Sequence, residues 1–259
     1  MKKRIAVGAV IFAAILFAGN LFLRAIYVVP IAMYHSIDMT TNKTNRLIVA
    51  PEIFKRQMEF LKRNRYNVIS LKELADILNS KRRLPRKTIC ITLDDGYENN
   101  YKYAYPVLNN LKLPATIFIM TDAIDKAGYL TAGEIKEMAK GVIDIGSHTK
   151  THFWLGETKA IVRAREEIVN SKQVLENIIS KNVTFFCYPG GGFTKETRQL
   201  VIDAGYRGAV ATNPGHRYPK HDVYALKRLR ISSNCANLFI FWVETSGYYT
   251  WIKEHRDKD

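Results

Sequence analysis

Two adjacent carboxylates, Asp94 and Asp95, follow the apolar run Ile89-Cys90-Ile91-Thr92-Leu93 and precede Gly96. A run of that kind reads as a buried strand, and glycine lets the chain turn sharply at its end. The pair therefore falls where a strand gives way to a loop, the place from which α/β proteins present reactive groups. Neighbouring carboxylates repel, so the arrangement persists most easily when a cation or a proton neutralises one of them. A metal ligand beside a general base is the simplest chemistry. Turn- or helix-capping aspartates are the plainer alternative.

Further along, His148-x-x-x-His152 sets two imidazoles one helical turn apart, able to face one cation. Taken alone, such a pair is more often two surface histidines. With Asp95 it supplies two nitrogen donors and one oxygen donor and leaves a position for water, the pattern of a catalytic zinc-type centre. Asp94 is then the base that takes the attacking water's proton. In Tyr188-Pro189-Gly190-Gly191 the glycines remove side-chain obstruction, so the Gly190 N–H is the candidate oxyanion donor; a strand-ending turn is the alternative. Cleavage of an amide also needs a proton for the leaving amine. His35 is the candidate acid, against a buried structural histidine, and His216 in Asn213-Pro214-Gly215-His216 is its competitor.

These residues need elements to hold them. The first strand is expected over Tyr27–Tyr34, ending at His35. Pro51 opens a helix with Phe54, Met58 and Leu61 on one face, and Asn67-Val68-Ile69 is a short strand. Ser70-x-x-Glu73 and Thr131-x-x-Glu134 are capping boxes, and Thr194 caps a helix that stops at Gly205. Helices are expected over roughly 98–111 and 157–180, and strands over Pro114–Met120, Val142–Gly146, Val183–Tyr188, Tyr206–Thr212 and Leu226–Ile231. The repeated strand–helix alternation argues for a parallel sheet clothed in helices. Seven or eight units in about 230 residues suit a closed α/β barrel better than an open sheet. His35, Asp94 and Asp95, the two histidines and the Pro-Gly turn each follow a different strand, so in a barrel they share one rim.

Lys2-Lys3-Arg4 precede nineteen uncharged residues, Ile5 to Leu23, closed by Arg24. At about 1.5 Å per residue this nearly spans a hydrocarbon core of roughly 30 Å. Residues 1–24 are read as an uncleaved signal-anchor and 25–259 as a domain outside the cytoplasm, with secretion after cleavage as the alternative. Lys2, Lys3, Arg4 and Arg24 removed from 39 basic residues leave 35 against 24 acidic ones, a net +11 for the remainder. That excess favours an anionic neighbourhood of lipid or wall polymer. No recognition motif or aromatic-interleaved basic stripe points to nucleic acid. The basic connection Lys81-Arg82-Arg83 to Arg86-Lys87 reads as a solvated loop, or else as a lipid or wall contact. Three cysteines imply no disulfide framework, and Cys90 and Cys187 sit in apolar runs as small core residues.

Three stretches taken together, Thr92-Leu93-Asp94-Asp95-Gly96-Tyr97, His148-Thr149-Lys150-Thr151-His152 and Phe186-Cys187-Tyr188-Pro189-Gly190-Gly191, resemble the polysaccharide deacetylases of carbohydrate esterase family 4, the NodB-homology domain. The similarity runs from about Met33 to Arg230. It implies a distorted (β/α) barrel and metal-dependent removal of N-acetyl groups from N-acetylglucosamine polymers. By position, Asp94 matches the base and Asp95, His148 and His152 the metal ligands. The metal is expected to be zinc, with cobalt, nickel or iron as alternatives. Tyr188, Pro189 and Gly190 match the substrate and oxyanion segment, Gly190 standing where many members have an aromatic residue. Many members carry an arginine that orients the base two residues before the motif proline; here Cys187 holds that position, so the arginine is expected to be missing. The late Leu-x-His motif is not evident. With the early Met33-Tyr34-His35-Ser36 these departures resemble the branch acting on poly-β-1,6-N-acetylglucosamine, where the early histidine is the substitute acid. A non-catalytic polysaccharide-binding or assembly protein and an O-acetyl esterase on a glycan such as xylan are the competing functions.

Overall fold

The computed structural model describes residues 2–39, 47–157, 159–212 and 221–256. The first element, α1 (Lys2–Ile26), contains the apolar span Val7–Ile26, with a mean hydropathy of 2.1 and none of it buried. By length and composition that span suffices to cross a bilayer.

The remaining elements form one barrel. β1 (Ile31–Tyr34) is buried along its whole length. β2 (Ser36–Ile37) and β3 (Ile48–Val49) pair in parallel beside it. Pro51 opens α2 (Pro51–Arg63), which buries Phe54, Met58 and Leu61 as its periodicity requires, and with them Gln57. Burial of Gln57 is tolerated because its amide is bonded at both ends, accepting from the Tyr34 hydroxyl and donating to the Cys235 carbonyl, each at 2.8 Å. After β4 (Asn67–Val68), the Ser70 hydroxyl accepts the Glu73 N–H and starts α3 (Leu71–Asn79). β5 (Thr88–Leu93) is fully buried. The helix expected over 98–111 is split into a π-turn at Asn100–Ala104 and α4 (Tyr105–Leu111).

β6 (Ala115–Ile119) leads to α5 (Ala132–Met138), whose Thr131–Glu134 capping box closes in both directions. β7 (Ile143–Ser147) is followed by the long α6 (Ile161–Ile179). β8 (Phe185–Cys187), α7 (Lys195–Asp203) and β9 (Gly208–Ala211) complete the alternation. The last strand stretch is interrupted at Arg228 into β10 (Leu226–Lys227) and β11 (Leu229–Arg230). Two helices not expected from the sequence, α8 (Leu238–Glu244) and α9 (Tyr249–Arg256), end the described chain.

All sheet pairings are parallel, in the order β10-β9-β8-β7-β6-β5-β1-β11, with β4 on the first residues of β5. β10 pairs β9 while β11, one residue later, pairs β1. The stretch around Arg228 therefore bridges the two ends of the sheet and nearly closes a seven-stave barrel. Closure is loosest between β7 and β8, whose register holds only the pair Ser147 and Phe186. Parallel strands point their C-terminal ends the same way, so one rim collects the loops after β1, β5, β7 and β8.

Candidate active site

At the end of β5 the chain passes through two consecutive left-handed residues, Asp95 (φ 72°) and Gly96 (φ 70°). Aspartate tolerates this region better than most side chains, and glycine at no steric cost. The two carboxylates consequently have different partners. Asp94, 2% exposed, is held by Arg228, whose Nη1 and Nη2 donate to Oδ1 and Oδ2, both at 2.6 Å. The remaining guanidinium donors are also used, on Thr92 Oγ1 (3.1 Å), Cys187 Sγ (3.1 Å) and the Ala211 carbonyl (3.3 Å). Burial alone would raise the Asp94 carboxyl, but the charge and hydrogen bonds of Arg228 outweigh it and hold the group well below the ordinary carboxylate range.

This corrects one expectation. The arginine absent from position 187 is supplied by Arg228, from the stretch that closes the barrel, and the Cys187 thiol lies against both it and Asp94. In sequence Arg228 is one of three basic residues in Lys227-Arg228-Leu229-Arg230, with nothing local to mark it as the partner of Asp94.

Asp95 faces the histidines, its Oδ1 3.5 Å from His148 Nε2 and 3.8 Å from His152 Nε2. The two imidazoles meet edge to face with centroids 4.8 Å apart. They are not on a helix, as the spacing suggested. The segment 148–152 is a turn with Thr149 (φ 64°) and His152 (φ 61°) left-handed. The buried Glu167 of α6 organises that turn, accepting the Lys150 N–H (2.9 Å), the Thr151 N–H (2.8 Å) and the Thr151 hydroxyl (2.7 Å). The signal for Glu167 was a lone acid on the apolar Ala164-Ile168-Ser171-Leu175 face of α6.

His148 Nδ1 lies 2.9 Å from the Cys187 carbonyl, which can only accept, so this nitrogen carries a proton and Nε2 is the atom turned to Asp95. Anchoring the far ring nitrogen in this way is what a metal-ligating histidine requires. Burial opposes protonation of His148, but neighbouring Cys187 and Asp95 raise its pKa well above the usual value. A cation would take that proton's place.

The chemistry of this donor set fits a divalent metal. One ligand atom each from Asp95, His148 and His152 lies within 4.8 Å of the others, and the 3.5 and 3.8 Å separations suit bonds of about 2.0–2.2 Å to one ion. Asp94, His148 and Cys187 form a second cluster. There both Asp94 oxygens are bound to a guanidinium, so a cation would be placed against a fixed positive charge.

His35 follows β1 and turns toward the same rim. Its Nδ1 is buried with no hydrogen-bond partner among the described residues. Burial lowers its pKa, against the opposing charges of Asp94 and Asp95. His216 lies outside the described residues.

The loop after β8 corrects the reading of Tyr188. Its side chain is fully buried, stacked on Phe193 (4.3 Å), with its hydroxyl donating to the Tyr224 carbonyl at 3.1 Å. Pro189 is buried as well, so this segment has main chain rather than the tyrosine ring to offer a substrate. Gly190 (φ 60°) and Gly191 (φ 79°) are left-handed. The half-exposed Trp154 ring lies over Gly190 and Gly192; a Cβ on Gly192 would fall 2.1 Å from it.

A parallel α/β barrel carrying an Asp-His-His cluster beside an arginine-held carboxylate at its C-terminal rim defines the class, and the comparisons define the family. The family model described as polysaccharide deacetylase matches residues 81–209. The Bacillus subtilis (strain 168) protein YxkH, assigned to the polysaccharide deacetylases, is 36% identical over 204 residues, covering 78% of this chain and 71% of the relative. The poly-beta-1,6-N-acetyl-D-glucosamine N-deacetylase of Staphylococcus aureus (strain MRSA252) is 25% identical over 199 residues, 72% of this chain and 68% of that protein. Among solved structures, the Streptococcus pyogenes deacetylase PplD in complex with acetate superposes with a TM-score of 0.73 at 28% identity, covering 80% of this chain and 93% of that one. The chain belongs to the polysaccharide deacetylase family.

Proposed function

We propose that this protein is a metal-dependent N-deacetylase that removes acetyl groups from N-acetylglucosamine residues of a surface polysaccharide, poly-β-1,6-N-acetylglucosamine being the first candidate polymer. We further propose that α1 is a single membrane anchor with the barrel outside the cytoplasm. The division of labour between adjacent carboxylates carries the reading: Asp94 is fixed by Arg228 while Asp95 joins two imidazoles. The name of the S. aureus relative supports the polymer, and acetate in the S. pyogenes structure supports the product.

A divalent ion, zinc first, held by Asp95, His148 and His152, would supply Lewis acidity to the attacking water and to the amide carbonyl. Asp94 receives the water's proton. Arg228 keeps it ionised and aimed, and its low proton affinity means the water must already be acidified. The Gly190 N–H is assigned to the developing oxyanion. His35 delivers the proton that lets the amine leave, so amide and water become amine and acetate.

The test is acetate release from β-1,6- and β-1,4-linked N-acetylglucosamine oligomers, with and without chelator. Asp94→Asn should keep its bound metal and lose turnover by about 10²-fold or more. His148→Ala should lose the metal itself. Chelator-insensitive turnover, or full activity in Asp94→Asn, would overturn the assignment.

A further inference from the structure

The opposite end of the barrel, where the strands begin, holds a second built feature. A cleft of about 230 Å³ opens where α1 enters the domain. Its charged wall is Arg24, Arg83 and Arg86, with His221 beside them. Its apolar wall is Leu23 and Leu84 with the rings of Tyr27 and Tyr248. Among the described residues no acidic side chain lines it and none of the three arginines is in an ion pair. Three guanidinium groups around one cavity repel one another, and an anion relieves that repulsion.

The cleft is held in shape by the chain's two ends. Tyr27 meets Tyr248 edge to face at 5.6 Å, Phe22 of α1 meets Trp251 of α9 at 6.0 Å, and the Val28 N–H donates to the Gly247 carbonyl at 2.9 Å. Gly247 (φ 86°) is required there, since a Cβ would come within 2.2 Å of the Tyr27 ring. A neighbouring cleft sharing Tyr248 adds Lys87 and the half-exposed Trp242. Aromatic rings interleaved with basic residues at the end of an apolar helix match the chemistry of a membrane–water interface.

We infer that this cleft binds the phosphate headgroup of an anionic phospholipid. The inference rests on reading α1 as a retained membrane helix, which places Arg24 at headgroup depth. Guanidinium forks match phosphate oxygens in pairs, and Leu23 and Leu84 offer apolar surface to the first acyl carbons, which a free phosphate or a wall polymer lacks. The catalytic rim, at the far ends of the same strands, then faces away from the bilayer, about 20 Å further along the six residues of β5.

The test titrates the full chain in neutral detergent with dioctanoyl phosphatidylglycerol, dioctanoyl phosphatidylcholine, inorganic phosphate and polyglycerol phosphate, by calorimetry. Phosphatidylglycerol should bind, tighter than the other three, and Arg83→Gln/Arg86→Gln should weaken it on the order of tenfold or more. Acetate release from soluble oligomers and the thermal midpoint should be unchanged in that variant. Equal binding of phosphatidylcholine, of inorganic phosphate or of the glycerol phosphate polymer would overturn the inference, as would an unaffected double variant. N-terminal sequencing of the membrane fraction tests the anchor separately: removal of α1 would refute the anchor, whereas an intact anchor without headgroup preference would refute only the lipid site.

Discussion

Arg228 sets the proton affinity of Asp94, the proposed base. Both side chains are almost fully buried, so each depends on the other for its charge. The native pair depresses the Asp94 pKa, so its stabilising contribution is complete above the ordinary carboxylate range and is lost only in strong acid, as pH falls through the depressed value. Arg228→Met reverses the sign. Asp94 then keeps the burial that raises its pKa, opposed only by the nearby His148 and His35, and a carboxylate that has lost its buried partner costs about 3–5 kcal/mol at neutral pH. Chemical denaturation should show that deficit at pH 7 and its shrinkage as the pH is lowered and Asp94 becomes neutral. Asp94→Asn in the same background should recover much of it. A deficit independent of pH would mean that Arg228 matters for packing alone. The sequence carried the acid half of this pair openly, in Leu93-Asp94-Asp95-Gly96, because strand, turn and chemistry are all local there. Its basic half is set by barrel closure, a contact across more than a hundred residues, and left no local mark.

Among the elements, those with one buried face were readable and those positioned by long-range contacts were not. α2 buries the residues its period selects, and the Thr131–Glu134 box closes as its spacing requires. α8 escaped notice because Leu238-Phe239-Ile240-Phe241-Trp242-Val243 has no polar face: Phe241 is buried while Phe239 is 67% exposed. The H-x3-H spacing suggests two imidazoles one helical turn apart, but it does not record the left-handed residues of the turn at 148–152 that Glu167 stabilises. The glycine loop after β8 makes a sharper test. Gly192 has an ordinary φ of −86°, so Gly192→Ala is unstrained in backbone and fails only because its Cβ meets the Trp154 ring. The substitution should cost about 1–3 kcal/mol and shift tryptophan emission to the red as the ring is pushed toward solvent. In a Trp154→Ala background the same change should cost under about 0.5 kcal/mol. An equal cost in both backgrounds would show that the ring is not what requires glycine there.

At the scale of the whole molecule, the three side chains proposed to hold one ion come from strands that do not touch. Asp95 leaves β5 and the two histidines leave β7, with β6 between them. The neighbouring β7–β8 pairing is the shortest in the barrel, so the histidine side of the cluster stands next to its loosest seam. An ion held by all three side chains therefore ties the rim across β6, and it can do so only in the folded state, because the unfolded chain does not assemble the set. Mass action then sets the size of the effect: metal at about 100 times its dissociation constant adds roughly 2.7 kcal/mol. For a chain of this size that corresponds to a midpoint shift of roughly 5–11 °C. Thermal unfolding of the full chain with added zinc should show the rise, and chelator should abolish it. Asp94→Asn should retain the shift, since that carboxylate belongs to Arg228. His148→Ala and Asp95→Ala should each lose it while keeping a cooperative transition. A zinc-dependent shift that survives His148→Ala would move the ion to a different set of residues and leave the geometry of this rim without its metal.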